Sequence, residues 1–130
     1  MGSHCVLELL QNHYRVIVID NLVNSVQLPG SHLPESLARV ERITGKRITQ
    51  FYNGSIKDTL LLEKIFLAHQ VHIVIHFAAL KAVGESVSQP LKYYQNNVSN
   101  TINLLDVMAK FGVKKFIFSS SATVYGILHT

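Results

Sequence analysis

Four short apolar runs, separated by longer amphipathic segments, set the pattern of this chain. The runs are nearly continuous in apolar residues and rich in β-branched side chains, which is typical of strands buried on both faces of a parallel sheet. They cover residues 15–20, 47–52, 71–77 and 114–119.

The segments between these runs have the features of helices. Residues 3–11 show apolar positions at helical spacing. Residues 34–44 begin with a proline and are followed by Gly45, and Asp58 can cap a third helix.

A fourth helix, residues 93–111, is the longest and is followed by Gly112. It carries one apolar stripe, formed by Val98, Ile102, Leu105 and Ala109. The resulting order, α-β-α-β-α-β-α-β, predicts an α/β fold built from βαβ units.

The beginning of the chain departs from a doubly wound nucleotide-binding fold. Such a fold starts with a central strand and a glycine-rich turn. This chain starts with a helical pattern, and its seven glycines do not form G-x-G-x-x-G. Either the fold is a different one or its first element is absent.

Composition narrows the functional classes. A length of 130 residues with 48% hydrophobic and 15% charged content indicates one domain with a true core. The net charge is +4, but the basic residues are scattered, which argues against a nucleic-acid partner. No apolar run approaches the roughly 20 residues that cross a membrane. The single cysteine, Cys5, excludes an intrachain disulfide and fits a reducing compartment, so we expect a cytoplasmic protein.

Polar residues that follow the predicted strands are the candidates for chemistry, because open α/β sheets bind nucleotides at the carboxyl ends of their strands. Asp20 ends the first run and can accept hydrogen bonds from both hydroxyls of an adenosine ribose, although a turn or helix-capping aspartate is an equal alternative. Asn21 supplies no positive charge for a 2′-phosphate, so NAD is favoured over NADP.

Small residues follow the third run. Phe77, Ala78 and Ala79 allow a dinucleotide to approach the backbone, and Lys81 can then reach a ribose or phosphate oxygen. The alternative is a tight strand-to-helix turn with a solvated lysine. Asn97 either bonds the nicotinamide ribose or braces this loop, and a plain polar residue at a helix start is equally natural.

The fourth run ends in Ser119, Ser120 and Ser121, whose hydroxyls can bond a substrate hydroxyl but are also common in turns. His72 and His76 are four residues apart on one predicted strand. A zinc site needs further ligands, so we expect two core histidines and no metal.

Several of these segments together resemble the UDP-glucose 4-epimerases of the extended short-chain dehydrogenase/reductase family. The resemblance covers residues 2–126 and is strongest at 2–10, 18–21, 33–37, 76–87 and 118–126. The loop 81–87, Lys-Ala-Val-Gly-Glu-Ser-Val, is specific to these epimerases. Another NAD-dependent sugar-nucleotide epimerase or dehydratase is the alternative that this loop disfavours.

The resemblance implies an incomplete Rossmann domain, a doubly wound parallel sheet that lacks its first strand and the C-terminal substrate domain. Gly2 then matches the third glycine of a G-x-x-G-x-x-G turn. In the strand order 3-2-1-4-5 the absent strand is central, so we expect two unpaired strand edges to face each other across a gap and the isolated chain to be unstable or prone to aggregation.

The resemblance also implies a set of site residues. Serine stands at 55 where the family has an aspartate, which weakens or removes one adenine contact. Ser121 would bond the 4-hydroxyl of the sugar, and Lys81 would reach both cofactor and substrate. The implied NAD-binding residues are Gly2, Asp20, Asn21, Asn24, Ser25, Ser55, Ile56, Phe77, Ala78, Ala79, Lys81, Asn97 and Ser119.

The implied reaction interconverts UDP-galactose and UDP-glucose, a step of galactose metabolism, through a 4-keto sugar with bound NAD. Its base is the tyrosine of a Tyr-x-x-x-Lys pair, and no tyrosine in this chain has lysine four residues later. We therefore expect the 130-residue chain to be inactive on its own. The alternative is a non-catalytic, truncated isoform that binds nucleotide weakly or associates with the full enzyme. The family forms homodimers through two helices; the helix predicted at 93–111 resembles one of them, and the other would carry the Tyr-x-x-x-Lys pair that this chain lacks.

Overall fold

The structure is a computed structural model that describes residues 1–121 and Val124. Helices and strands alternate as the sequence predicts, with two additional short helices before the last long one. The elements are α1 (Gly2–Gln11), β1 (Ile17–Asp20), α2 (Glu35–Thr44), β2 (Gln50–Asn53), α3 (Thr59–Ala68), β3 (Ile73–His76), α4 (Val83–Ser88), α5 (Pro90–Tyr93), a π-helical turn (Tyr94–Ser99), α6 (Asn100–Lys110) and β4 (Lys115–Phe118).

The helix ends follow from identifiable residues. Asp58 Oδ1 accepts a hydrogen bond from the backbone N–H of Leu61 at 3.0 Å and so caps α3, as predicted. Gly45 adopts a left-handed conformation, with φ of 65°, and ends α2. The Lys46 ammonium donates to the carbonyl of Leu10 at 2.9 Å and so satisfies the end of α1.

The described strands form two separate parallel pairs. β1 pairs with β2 from Ile17↔Gln50 to Asp20↔Asn53, and β3 pairs with β4 from Ile73↔Lys115 to His76↔Phe118. Within the described residues no strand joins the two pairs. The gap expected from the sequence is therefore confirmed.

The two sides of β1 contact different hydrophobic cores. Val18 packs against the core that α1 and α2 share, whereas Ile19 packs against the core between α3 and α6. Adjacent side chains of a strand point to opposite faces. Helices therefore cover both faces of β1, which is the doubly wound arrangement that was predicted. The first core contains Val6, Leu10, Val16, Leu37, Val40 and Ile48, and the second contains Leu62, Leu104, Val107 and Met108.

Backbone pairing shows which residues face the gap. The carbonyl of Asp20 accepts from Gly54 N on the β2 side, and the carbonyl of His76 accepts from Ser119 N on the β4 side. Alternate residues of a strand direct their N–H and C=O groups to opposite edges. Ile19 of β1 and Ile75 of β3 therefore direct theirs into the gap.

One expectation about burial is wrong. The strands are not buried on both faces, since Ile117 and Phe118 of β4 are 54% and 56% exposed. A strand in a two-stranded sheet has a neighbour on one edge only, and the helices do not cover all of its outer face. The predicted stripe on the last long helix is also exposed, with Ile102 at 53%, because α6 packs on its other face through Leu104 and Val107.

The expectation of two core histidines holds for His76 only. His76 is buried at the end of β3, whereas His72 precedes the strand and is exposed. The Thr101 hydroxyl donates to the carbonyl of Asn97 at 2.7 Å. Its single hydrogen is thereby used, so the His76 Nε2–H donates to Thr101 Oγ1 across 3.0 Å. His76 therefore carries a hydrogen on Nε2.

No helix among the described residues is long and apolar enough to span a membrane.

The gap predicts a specific pattern of amide hydrogen exchange. Val18 and Val74 donate within the two strand pairs, whereas Ile19 and Ile75 face the gap, so the Ile19 and Ile75 amides should exchange about tenfold faster or more. Exchange measured by NMR on the isolated chain checks this. Equal protection of neighbouring residues in both strands would show that the gap is filled.

His76 predicts a loss of stability at low pH. Burial lowers the pKa of His76 below the ordinary value of 6.5. Below that pH the unfolded chain binds the proton more readily than the folded chain, so the free energy of unfolding should fall as the pH decreases. Urea unfolding on either side of pH 6.5, with the His76→Gln variant, measures this contribution. The exposed His72, changed to Gln, should leave the slope as it is, and an unchanged slope in His76→Gln would contradict the assignment.

Candidate functional site

A large cavity opens at the carboxyl ends of β1, β2 and β3 and continues into the gap. Its volume is about 2390 Å³. This exceeds the roughly 300–1,000 Å³ of a usual ligand pocket, because the cavity includes the space between the two strand pairs. It is lined by eleven of the predicted cofactor-binding residues: Gly2, Asp20, Asn21, Asn24, Ser25, Ser55, Ile56, Phe77, Ala78, Ala79 and Lys81.

Asp20 serves a turn and still presents an acceptor to this cavity. Its Oδ1 accepts from Leu22 N at 2.7 Å, and this bond supports the left-handed backbone of Leu22, whose φ is 61°. Among the described residues none donates to Asp20 Oδ2. The sequence offered a turn role and a ribose-acceptor role for Asp20 as alternatives. The structure allows both, because the turn uses Oδ1 and leaves Oδ2 to accept from a ligand.

The segment after β1 continues as a series of turns along the cavity. Asn21 Oδ1 accepts from Val23 N at 3.3 Å, and Ser25 N donates to the carbonyl of Leu22 at 3.2 Å. Asn24 is exposed beside them. These turns keep short polar side chains, which can bond a ligand, next to Asp20.

The end of β2 lies close against α3. Gly54 N donates to the carbonyl of Asp20 at 3.0 Å, and a Cβ atom on Gly54 would collide with the side chain of Leu61. A larger residue at position 54 would therefore require the Leu61 side chain to move. Ser55 Oγ accepts from Lys57 N at 3.3 Å, and the carbonyl of Ile56 accepts from Asn103 Nδ2 at 2.6 Å, so both predicted residues are fixed at the cavity wall.

The loop after β3 carries Lys81, whose side chain is exposed and lines the cavity. Asn97 Oδ1 accepts from Leu80 N at 2.8 Å, and Asn97 Nδ2 donates to the carbonyl of Leu80 at 3.0 Å. Asn97 is not among the residues lining the cavity. Asn97 thus braces this loop, which was one of the three alternatives stated above. A contact between Asn97 and the cofactor stays a prediction.

A second polar group beside the loop was not predicted from the sequence. The Glu85 carboxylate accepts from the Lys92 ammonium at 2.6 Å, and its Oε2 lies 2.8 Å from the Tyr93 hydroxyl. Bonds from Lys92 and then Tyr93 lower the pKa of Glu85, and the bond to Glu85 raises the pKa of Lys92. Desolvation and then the contact with Glu85 raise the pKa of Tyr93. Glu85 is thus a carboxylate and Tyr93 a neutral phenol near neutral pH.

The amino end of α1 also reaches the cavity. Met1, Gly2 and Ser3 line it, and no side chain among the residues that the structure describes caps the helix. The uncapped N–H groups and the positive end of the helix dipole favour an anionic group nearby. Together with the Asp20 carboxylate this arrangement suits a ligand that has both phosphate and ribose groups.

Besides Asn97, two further predicted residues lie away from the cavity lining. Ser119 donates its N–H to the carbonyl of His76 and extends the β3–β4 pair. The carbonyl of the exposed Ser121 accepts from Val124 N at 3.3 Å. The rest of the predicted segment 118–126, which is Ala122, Thr123, Tyr125 and Gly126, lies outside the described residues.

Sequence reasoning missed four residues whose partners are set by the fold. Asn103 bonds the carbonyl of Ile56 and Thr101 bonds His76, both distant in the chain, whereas Tyr93 bonds Glu85 eight residues earlier. Tyr93, Thr101 and Asn103 are polar positions in the predicted helix 93–111, and Glu85 lies in the loop 81–87. In the part of the chain that the structure describes, no group of three or more His, Cys, Asp or Glu side chains could hold a metal ion.

Comparison with known proteins agrees with this geometry. The UDP-glucose 4-epimerase of Pasteurella multocida is 55% identical over 126 residues, which are 97% of this chain and 35% of that protein. The enzyme of the same name from Bos taurus is 52% identical over 126 residues, 97% of this chain and 36% of that protein. This chain thus spans about a third of the length of the curated relatives it matches.

Solved structures give the same result. UDP-glucose 4-epimerase from Bifidobacterium longum, in complex with NAD⁺ and UDP, matches with a TM-score of 0.83 and 49% identity over 95% of this chain and 35% of that one. The enzyme from Stenotrophomonas maltophila, with bound NAD and formylated UDP-arabinopyranose, matches with a TM-score of 0.86 and 41% identity over 96% of this chain and 35% of that one. The family model described as NAD dependent epimerase/dehydratase family matches residues 1–130, and the chain belongs to this family.

Proposed function

We propose that this chain forms the NAD-binding part of a UDP-glucose 4-epimerase. The observation that carries the proposal is that eleven of the thirteen residues implied by the resemblance for NAD line one cavity at the strand ends. The solved relatives described with bound NAD, at 41% and 49% identity, support the same cofactor.

The residues at the cavity fit the chemical groups of NAD. Asp20 Oδ2 can accept from the adenosine ribose, and its charge disfavours a 2′-phosphate at that position. The uncapped start of α1 suits the pyrophosphate. Lys81, exposed at the same cavity, can reach a ribose or phosphate oxygen. When bound, NAD supplies reversible acceptance of a hydride.

The substrates that follow from this assignment are UDP-galactose and UDP-glucose. Ser121, exposed after β4, is the candidate hydroxyl for the 4-hydroxyl of the sugar. No tyrosine of this chain has lysine four residues later, so no general base of the Tyr-x-x-x-Lys kind is present in it. We therefore assign cofactor binding, without turnover, to the chain by itself. A cytoplasmic location stays a prediction based on the single cysteine.

The Asp20→Asn variant tests the cofactor site. It keeps the acceptor for Leu22 N but removes the negative charge, so NAD affinity should fall about 10- to 100-fold, the usual value of a charge-assisted hydrogen bond. Titration calorimetry measures this, and NADP should bind the original chain more weakly than NAD.

The matched control for this test is Asp106→Asn, an exposed carboxylate on α6 outside the cavity lining, which should leave NAD affinity unchanged. If the original chain showed no NAD binding, or if both variants lost affinity equally, the proposed function would be rejected.

A second candidate function, association with another copy of the same helical face, is favoured by the exposed stripe. Val98 is 47%, Ile102 53% and Leu105 39% exposed, and the exposed Ala109 continues this line. A repeat at three and four residues is the pattern by which helices pack side by side. We infer that this face pairs with its equivalent in a second chain, as in the homodimers implied by the resemblance.

The Ile102→Glu variant tests this pairing. A charge in the middle of the stripe should convert a concentration-dependent dimer into a monomer in light scattering after size exclusion, because burying an unpaired carboxylate is unfavourable. Ile43→Glu places the same charge at another exposed site, on α2, and should leave the dimer intact. A chain that is monomeric at all concentrations, or a dimer that persists in Ile102→Glu, would contradict the inference.

A further inference from the structure

The backbone on both sides of Lys81 is held by side chains from one helical segment. On one side, the Asn97 amide makes two hydrogen bonds, one with the N–H and one with the carbonyl of Leu80, at 2.8 and 3.0 Å. On the other side, the Tyr93 hydroxyl lies 2.8 Å from the carbonyl of Ala82. Lys81 is thus the residue between two fixed points.

The segment that carries Tyr93 and Asn97 is itself tied to the end of β3. His76 donates to Thr101, and Thr101 donates to the carbonyl of Asn97. His76 ends β3, and the loop follows it directly. The loop and the segment that holds it are therefore both attached to the end of the same strand. Asn96 Nδ2 also donates to Asn97 Oδ1 at 2.9 Å, which fixes the orientation of that amide.

The backbone between the two residues is unusual. Tyr94–Ser99 forms a π-helical turn between α5 and α6. Such turns are rare and occur frequently at functional sites. The wider turn changes the angle between successive side chains, and here Tyr93 and Asn97 both reach the loop that carries Lys81.

The Tyr93 hydroxyl also connects the loop to α4. Its oxygen lies 2.8 Å from both Ala82 O and Glu85 Oε2, and Lys92 holds the other oxygen of Glu85 at 2.6 Å. A hydroxyl has one hydrogen, which therefore lies between two acceptors. Glu85 and Lys92 keep the phenol at this position.

We propose that Tyr93 and Asn97 act together as positioning residues for Lys81, fixing the backbone on each side so that the Lys81 side chain leaves the loop at the cavity. The proposal rests on the proposed function, in which Lys81 contacts NAD. It assigns Asn97 a role through the loop in addition to any direct contact, and it gives Tyr93 and Glu85 a role that the sequence did not indicate.

The clamp is the set of hydrogen bonds by which Tyr93 and Asn97 hold the backbone at Leu80 and Ala82. Amide exchange tests it without any cofactor. Tyr93→Phe removes one hydroxyl that does not contact Leu80 directly. If the two residues act as a unit, the Leu80 amide should exchange about tenfold faster in Tyr93→Phe, while the Val74 amide inside the β3–β4 pair keeps its rate. The control is Tyr94→Phe, which removes a hydroxyl from the neighbouring exposed tyrosine and should change neither rate. An unchanged Leu80 rate in Tyr93→Phe would overturn the proposal.

A double-mutant cycle on NAD affinity tests whether the clamp acts through Lys81. In the original background, Tyr93→Phe should weaken NAD binding about 3- to 10-fold, the value of one hydrogen bond. In a Lys81→Met background, the same change should have no further effect, because the positioned group is gone. Losses that simply multiply in the double variant would show a general structural role and overturn the proposal. Absence of NAD binding by the original chain would reject the proposed function alone, since the exchange result decides the clamp.

Discussion

The division of the β1 side chains between two cores joins the halves of this molecule. Val18 contacts the core of α1 and α2, and Ile19 contacts the core of α3 and α6. The two strand pairs share no backbone pairing among the described residues, so apolar packing sets their separation, together with the hydrogen bond from Asn103 Nδ2 to the carbonyl of Ile56. Hydrophobic contact is strong but non-directional, whereas a hydrogen-bonded ladder fixes both distance and register. Packing therefore holds the two halves together, but no shared ladder of backbone hydrogen bonds among the described residues fixes the register between them.

This attachment bears on the site, because the cavity walls come from both halves. Asp20 and Gly54 belong to the first strand pair, and Phe77 and Lys81 follow the second. Any shift between the pairs changes the distance between Asp20 and Lys81 across the cavity. Within each half, in contrast, each position is held by two contacts. Asp20 bonds Leu22 N in its turn and also accepts from Gly54 N. The Lys81 loop is bonded by both Asn97 and Tyr93.

Sequence patterns predicted those parts of the structure that depend on neighbours along the chain. The cap at Asp58, the stop at Gly45 and the positions of all four strands follow from local chemistry and periodicity. The sequence pattern did not predict which apolar side chains are buried. Apolar residues such as Ile117 and Ile102 have the composition of core residues, yet which face is covered depends on elements distant in the chain. For Asn97 the sequence offered a brace as only one of three alternatives, and for Tyr93 it offered nothing, because folding brings their partners Leu80 and Ala82 close. The π-helical turn Tyr94–Ser99 was not predicted either.

The grip on the Lys81 loop is made almost entirely to main-chain atoms. Asn97 bonds the N–H and carbonyl of Leu80, and Tyr93 approaches the carbonyl of Ala82, so neither contact depends on the side chain at 80 or 82. The backbone conformation of the loop therefore does not depend on which side chains stand at positions 80 and 82. Side chains at these two positions can change size or polarity while the lysine between them keeps its place. The cavity wall thus has room for evolutionary variation next to a residue whose location is fixed.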